Sequence, residues 1–145
     1  GLNLSWGRVF YLYGVGEPRE KLCSAMIAKL SRGEEVILKT PHSIKDYIYI
    51  TDLAAAILTI VEQSKAGAMN LGTGEGTSVL ELVTLIARRL GTPELVRAAA
   101  ETVPDPYPFV VADAARLRSL GWEPKVSLEE GIRNLIEDLR AGVPT

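Results

Sequence analysis

Apolar residues recur at helical spacing along much of this chain, and the stretches between them are cut by glycine and proline. From Glu20 to Ser31, Leu22, Met26 and Leu30 line up four apart, Cys23 and Ile27 join them, and Gly33 supplies the stop. Leu53, Ala56, Ile57, Ile60 and Val61 repeat in the same way, which predicts a helix with one buried face and Asp52 as its N-cap. Ser78 opens a third helix, and Glu81 three residues on completes a capping box. Val79, Leu82, Val83, Ile86 and Leu90 make its stripe, Gly91 ends it, and Pro93 keeps it ended. Asp113 caps a brief helix through Leu120, closed by Gly121. Ser127 and Glu130 form a second capping box for the last helix, whose stripe is Leu128, Ile132, Leu135, Ile136 and Leu139. The tail from Ala141 to Thr145 is expected to fray.

Strand signals lie between these helices. Arg8 to Tyr13 is a continuous apolar run of the kind buried on both faces of a parallel sheet, and Gly14, Gly16 and Pro18 break it. Val36 to Leu38 predicts a short strand, followed by the Pro41-His42-Ser43 turn and a strand from Tyr47 to Ile50. Ala68 to Leu71 predicts another. Pro104, Pro106 and Pro108 mark an extended stretch, after which Phe109 to Val111 adds one more short strand. The expected class is α/β: a small mixed α/β unit plus a strand left over from a Rossmann-like parallel sheet.

Composition narrows the function classes. At 145 residues, 47% of them hydrophobic, the chain has room for one domain with an ordinary core. Sixteen basic residues face eighteen acidic ones with no basic block, so a nucleic-acid partner is not expected. The apolar runs stop short of membrane-spanning length and no signal-peptide pattern opens the sequence, which sets a cytoplasmic location as the expectation and no membrane partner. A single cysteine, Cys23, excludes an internal disulfide and reads as a small buried hydrophobe. One histidine and one cysteine make no metal-ligand cluster, so no metal site is assigned.

The most informative run is Lys45-Asp-Tyr-Ile-Tyr-Ile-Thr-Asp-Leu-Ala54. It resembles the (Arg/Lys)-Asp-aromatic-(Ile/Leu)-(His/Tyr)-Val-x-Asp-(Val/Leu)-Ala stretch of the extended short-chain dehydrogenase/reductase family. Its members are NAD(P)-dependent epimerases, dehydratases and reductases acting mostly on nucleotide sugars. Three further stretches carry the likeness in the same order. Arg8-Val-Phe-Tyr-Leu-Tyr-Gly14 resembles an Arg-x-x-Asn-x-Tyr-Gly stretch. Asn70-Leu-Gly-Thr-Gly-Glu-Gly-Thr-Ser78 looks like a substrate-domain loop of UDP-galactose 4-epimerase relatives. Asp113-Ala-Ala-Arg-Leu-Arg-Ser-Leu-Gly-Trp-Glu-Pro124 is similar to the family's ending.

Site residues follow from that resemblance. It implies that the main chain near Phe10 approaches the nicotinamide carboxamide, a cofactor contact. Tyr11 stands where relatives carry an asparagine that contacts the sugar or its phosphates. Glu20-Lys21-Leu22 aligns with a run that lies against the nucleotide diphosphate, where a helix start and a mobile lysine suit an anion. Lys45 stands where an arginine is commoner; lysine keeps the charge and loses the bidentate fork. The plainer readings are a solvated Lys21 and a structural pair of Lys45 with Asp46. The family's usual arginine upstream of the ending falls on Val103. Each such lost contact typically forfeits on the order of 1.5–3 kcal/mol, so diphosphate recognition is expected to be weakened.

Residues 72 to 76 alternate glycine and look superficially like a phosphate cradle. The dinucleotide fingerprint needs G-x-G-x-x-G spacing and a later acidic residue, and this loop has neither. A structural connection is the favoured reading. The family's chemistry also needs a Tyr-x-x-x-Lys pair, in which tyrosinate takes a proton while hydride moves to the nicotinamide. Neither Tyr47 nor Tyr49 is followed by lysine at that spacing, so no catalytic residue is assigned. The chain opens on Gly1-Leu-Asn-Leu-Ser without methionine and reads as a fragment. Two accounts stay open. Residues 1–145 are the C-terminal substrate-binding part of an NAD-dependent epimerase/dehydratase, or they are a freestanding or degenerate sugar-nucleotide-binding module without catalysis. The expected partners are a nucleotide sugar and a missing N-terminal Rossmann domain that would hold NAD or NADP; this chain alone is expected to bind neither cofactor. Without that domain, residues 8–13 are expected to self-associate or residues 1 to about 18 to order poorly.

Overall fold

The computed structural model describes residues 2–142; of the tail expected to fray, residues 143–145 lie outside the described residues. In chain order the elements are β1 (Ser5–Val9), β2 (Tyr11–Tyr13), α1 (Leu22–Ser31), β3 (Val36–Leu38), β4 (Ile44–Lys45) and β5 (Tyr47–Tyr49). Then come α2 (Ile50–Glu62), β6 (Gly67–Leu71), β7 (Thr77–Ser78), α3 (Val79–Leu90), a 3-10 turn at Pro93–Leu95 and β8 (Val96–Ala98). β9 (Phe109–Val110), α4 (Ala115–Arg118) and α5 (Leu128–Ala141) complete the order.

Parallel pairing dominates. β1 runs beside β6 with Ser5 opposite Gly67 and Val9 opposite Leu71, β2 beside β5 with Tyr11 opposite Tyr47, and β3 beside β8. β4 sits between β7, antiparallel, and β9, parallel. The α/β expectation holds, with helices carrying the crossovers between parallel strands.

β5 divides two cores, because successive strand side chains point to opposite faces. Tyr47 and Tyr49 enter the larger one with Cys23, Ile27, Leu30, Val83, Ile86, Ile132 and Leu135, so α1, α3 and α5 close around that face. Ile48 enters the smaller one with Leu53, Ala56, Ile60, Met69, Leu71, Leu117 and Trp122, which α2, β6, α4 and the loop after α4 supply. Edge-on ring pairs tie β2 to β5: Tyr11 to Tyr47 at 5.9 Å and Tyr13 to Tyr49 at 5.4 Å between centroids.

The caps expected from sequence are largely present. Ser78 and Glu81 form a complete capping box, and Ser127 accepts the Glu130 N–H. The second box is half made, since Glu130 turns instead towards Arg133 at 3.7 Å. Asp113 is not the cap expected for α4: the N-cap is Ala114, the helix ends at Arg118 short of Leu120, and Asp113 Oδ1 accepts the Ala115 N–H at 3.0 Å from one position further out. Cys23 is buried, as its place on the apolar face suggested, and burial pushes its thiol pKa up.

Four further expectations need correction. Asp52 is not an N-cap: α2 begins at Ile50, which also ends the strand at Tyr49, and Asp52 lies inside the first turn. Its buried carboxylate accepts the N–H groups of Lys125 and Val126, both at 3.0 Å, and so fastens the segment before α5. Ile57 and Val61 face outwards, 46% and 67% exposed, because helical periodicity defines a face without saying what covers it. α1 starts at Leu22, two residues later than the sequence pattern suggested.

The front run is the fourth. It forms two strands, not one, interrupted at Phe10, whose N–H donates to Leu71 O at 3.1 Å. Both strands find partners within the chain, so the view of them as wholly orphaned is mistaken. Burial was the other half of that expectation, and it holds only at Tyr13, 3% exposed: every residue of β1 is exposed, and so are Tyr11 and Leu12. β1 has no second strand neighbour among the described residues.

Candidate functional site

Phe10, Tyr11, Lys21, Leu22 and Lys45, the five residues singled out from the resemblance, all line one cavity of about 280 Å³. Parallel pairing of β2 and β5 sets Tyr11 beside Tyr47, and the start of α1 brings Lys21 and Leu22 across from them. Lys21 occupies the N-cap position of α1 and is exposed to solvent. The helix start is less open to an anion than its sequence implied. Glu17 lies over it and accepts the Ser24 N–H at 2.8 Å and the Ser24 hydroxyl at 2.7 Å. An internal carboxylate therefore already serves as the helix's acidic partner.

Sequence reasoning missed the floor of this cavity. Tyr47 is 8% exposed, and its hydroxyl has no hydrogen-bond partner among the described residues. Burial pushes that hydroxyl's pKa up, so the group stays protonated.

Lys45 is placed differently from an exposed cation awaiting a ligand. Its side chain is 9% exposed, and its ammonium donates to Asp105 Oδ2 at 2.9 Å and to Tyr107 O. The same ammonium lies 5.5 Å from the centroid of the Tyr11 ring. Asp105 is held in turn by the Ser43 hydroxyl at 2.7 Å and the Tyr107 N–H at 2.8 Å. The Ser43 hydrogen bond, the Tyr107 N–H and then Lys45 hold the Asp105 carboxyl down to about 2. The expected structural pair exists, then, but with Asp105 and not with the adjacent Asp46.

Asp46 decides the nature of the glycine-rich loop. It is completely buried, and its carboxylate accepts the Thr73 N–H at 2.9 Å, the Thr73 hydroxyl at 2.7 Å, the Gly74 N–H at 2.8 Å and the Ala112 N–H at 3.1 Å. The loop amides that would cradle a phosphate are spent on an internal carboxylate. A Cβ on Gly72 would lie 2.6 Å from Ala112 Cβ and 2.7 Å from Asp46 Oδ2, so glycine is needed there for close packing around Asp46. The residues present do not fit a cofactor pyrophosphate at this loop. A second cavity of about 300 Å³, lined in part by Thr73, Glu75 and Lys125, holds none of the five residues named above. Among the described residues, no group of His, Cys, Asp or Glu is placed to hold a metal ion, and no helix is long and apolar enough to cross a membrane.

Parallel strands joined through helices, with a cavity where two of those strands meet the start of a helix, make this an α/β protein with a concave site at a strand–helix junction. The family profile described as GDP-mannose 4,6 dehydratase matches residues 1–135, and the chain belongs to this NAD-dependent sugar-nucleotide epimerase/dehydratase family. UDP-glucuronic acid decarboxylase 6 of Arabidopsis thaliana is 29% identical over 153 residues, which cover 99% of this chain and 43% of that protein. GDP-L-fucose synthase 1 of the same plant is 32% identical over 107 residues, covering 72% of this chain and 33% of that one. Among solved structures, the UDP-glucose 4-epimerase of Thermus thermophilus, in complex with NAD, superposes with a TM-score of 0.83 at 28% identity, covering 96% of this chain and 47% of that one. The UDP-glucose 4-epimerase of Thermotoga maritima, with UDP-glucose, gives 0.81 at 29% identity, covering 94% and 46%. This chain thus spans less than half the length of each of these relatives.

Proposed function

We propose that this chain is the C-terminal, substrate-binding part of an NAD(P)-dependent sugar-nucleotide epimerase, dehydratase or reductase, and that its cavity takes the nucleotide diphosphate. The observation that carries this reading is the convergence of Phe10, Tyr11, Lys21, Leu22 and Lys45 on one cavity from three separate segments. Lys21, exposed at the head of α1, supplies the mobile charge for the phosphates. Tyr11 and Leu22 give the cavity an apolar wall for the sugar or base. The affinity is low, because Val103 replaces an arginine and Lys45 is already paired.

Catalysis belongs to the parent protein. Hydride transfer needs a bound NAD or NADP and a Tyr-x-x-x-Lys pair, and the sequence printed above contains neither the fingerprint nor the pair. A cofactor-binding half is the natural partner of the open edge of β1 and of the apolar face that Ile57, Leu58 and Val61 leave exposed on α2. Calorimetric titration with UDP, dTDP, GDP and CDP tests the reading. Weak binding of at least one, lost in Lys21→Ala, is expected. Absence of binding by all four at millimolar concentration would refute it.

A further inference from the structure

We infer that Asp105 restrains anion binding in this cavity: it lies outside the cavity lining, in the neighbouring groove, and neutralises Lys45 from there, so a nucleotide diphosphate draws on the full Lys45 charge only when the Asp105 carboxylate is released. The inference rests on the reading of the cavity as a diphosphate site.

The geometry carries it. An ammonium has three N–H donors. Those of Lys45 are engaged by Asp105 Oδ2 and Tyr107 O, with the Tyr11 ring on a third side. At 9% side-chain exposure only a small part of Lys45 is open to the cavity it lines. A phosphate arriving beside Asp105 would put two like charges on one ammonium, and like charges at such range repel. Lys45 therefore lends an anion in the cavity only part of its charge while Asp105 stays in place.

Displacement is nonetheless local. Asp105 lies on residues 101–108, an extended segment with no helix or strand, tied to the rest by the Val103 N–H to Lys39 O at 2.9 Å, the Ile44 N–H to Pro108 O at 2.8 Å, the Ser43–Asp105 hydrogen bond and the Lys45 bonds to Asp105 and Tyr107 O. Moving it leaves both cores intact, because none of these residues belongs to either. The same segment carries Val103, where relatives' arginine would add a positive charge. This chain instead presents a negative one two residues on.

The test is calorimetric titration of the whole chain, wild type and Asp105→Asn, with UDP and with inorganic pyrophosphate. Asparagine removes the charge and keeps one oxygen acceptor, for the Tyr107 N–H, while its amide nitrogen faces the Ser43 hydroxyl, which can turn to accept. The expected result is binding of UDP and pyrophosphate tightened by about threefold or more, the scale of a partly exposed ion pair, and reversal of that gain by adding Lys45→Ala. Ser43→Ala, which loosens Asp105 without touching Lys45, moves affinity the same way by less, and it decides the question should Asp105→Asn not fold. A wild type that binds UDP and an Asp105→Asn variant that binds it no tighter overturn this inference and leave the diphosphate site standing. Failure of every form to bind either probe overturns both.

Discussion

Replacing Asp46 with alanine removes a buried group that joins the glycine-rich loop, the β4–β5 corner and the segment leading to α4. Four donors lose their acceptor: the N–H groups of Thr73, Gly74 and Ala112, and the Thr73 hydroxyl. A buried donor left without a partner costs about 1–3 kcal/mol. Thr73 and Gly74 sit close enough to solvent for water to replace part of what they lose, whereas the Ala112 N–H is buried with its acceptor. Counting full cost for Ala112 and part for the others gives about 3–5 kcal/mol. That is a large share of the roughly 5–15 kcal/mol by which a domain of this size is stable. Urea unfolding of the wild type and Asp46→Ala, at an unchanged denaturant slope, measures the difference. Amide exchange at Thr73, Gly74 and Ala112 shows whether it arises where it should. Asp46→Asn, which keeps an acceptor and the shape, is expected to lose about half as much. A loss below about 1 kcal/mol for the alanine variant, or unchanged exchange at those three amides, would show that the carboxylate does not hold the loop.

Three other outcomes are expected. The Asp105 carboxyl, held down to about 2 from its ordinary 3.8, contributes its full share of stability above about pH 4 and loses it as the pH falls through 2, which carboxyl NMR chemical shifts followed to low pH will show. Gly131→Ala places a Cβ 2.1 Å from Tyr13 Oη, so despite alanine's better helix propensity it should destabilise by about 1–3 kcal/mol in thermal or urea unfolding. The open edge of β1, flanked by exposed Trp6 and Val9, should make the chain self-associate at high concentration in light scattering, and Trp6→Lys should leave it monomeric.

What was legible in the sequence was local. The Ser78 and Ser127 caps, the buried stripes of α3 and α5 and the stop at Gly91 depend on residues within a turn or two of one another, and all are present. What was missed was decided by residues far apart. Asp52 looks like a cap from its neighbours, yet its partners lie 73 and 74 positions on; the Asp46–Ala112 bond spans 66 positions and Lys45–Asp105 spans 60. No local pattern announces such pairs. The β3–β8 pairing also went unseen, since Val96–Ala98 is a three-residue strand with two exposed residues and no alternation to read. At the cavity, the resemblance singled out residues that do line one cavity, but it named neither the buried Tyr47 among them nor the carboxylate paired with Lys45.

The most direct test of the substrate-site reading is an amide-resolved NMR titration of the isotope-labelled chain with UDP, dTDP, GDP and CDP, and separately with NADH. The account predicts that at least one nucleotide diphosphate shifts amides around Phe10 to Tyr13, Lys21 to Cys23 and Lys45, with the largest changes beside the cavity, while NADH at micromolar concentration gives no saturable shifts. Nucleotide-diphosphate shifts centred on residues 72–76, or saturable NADH binding at micromolar concentration, would contradict it.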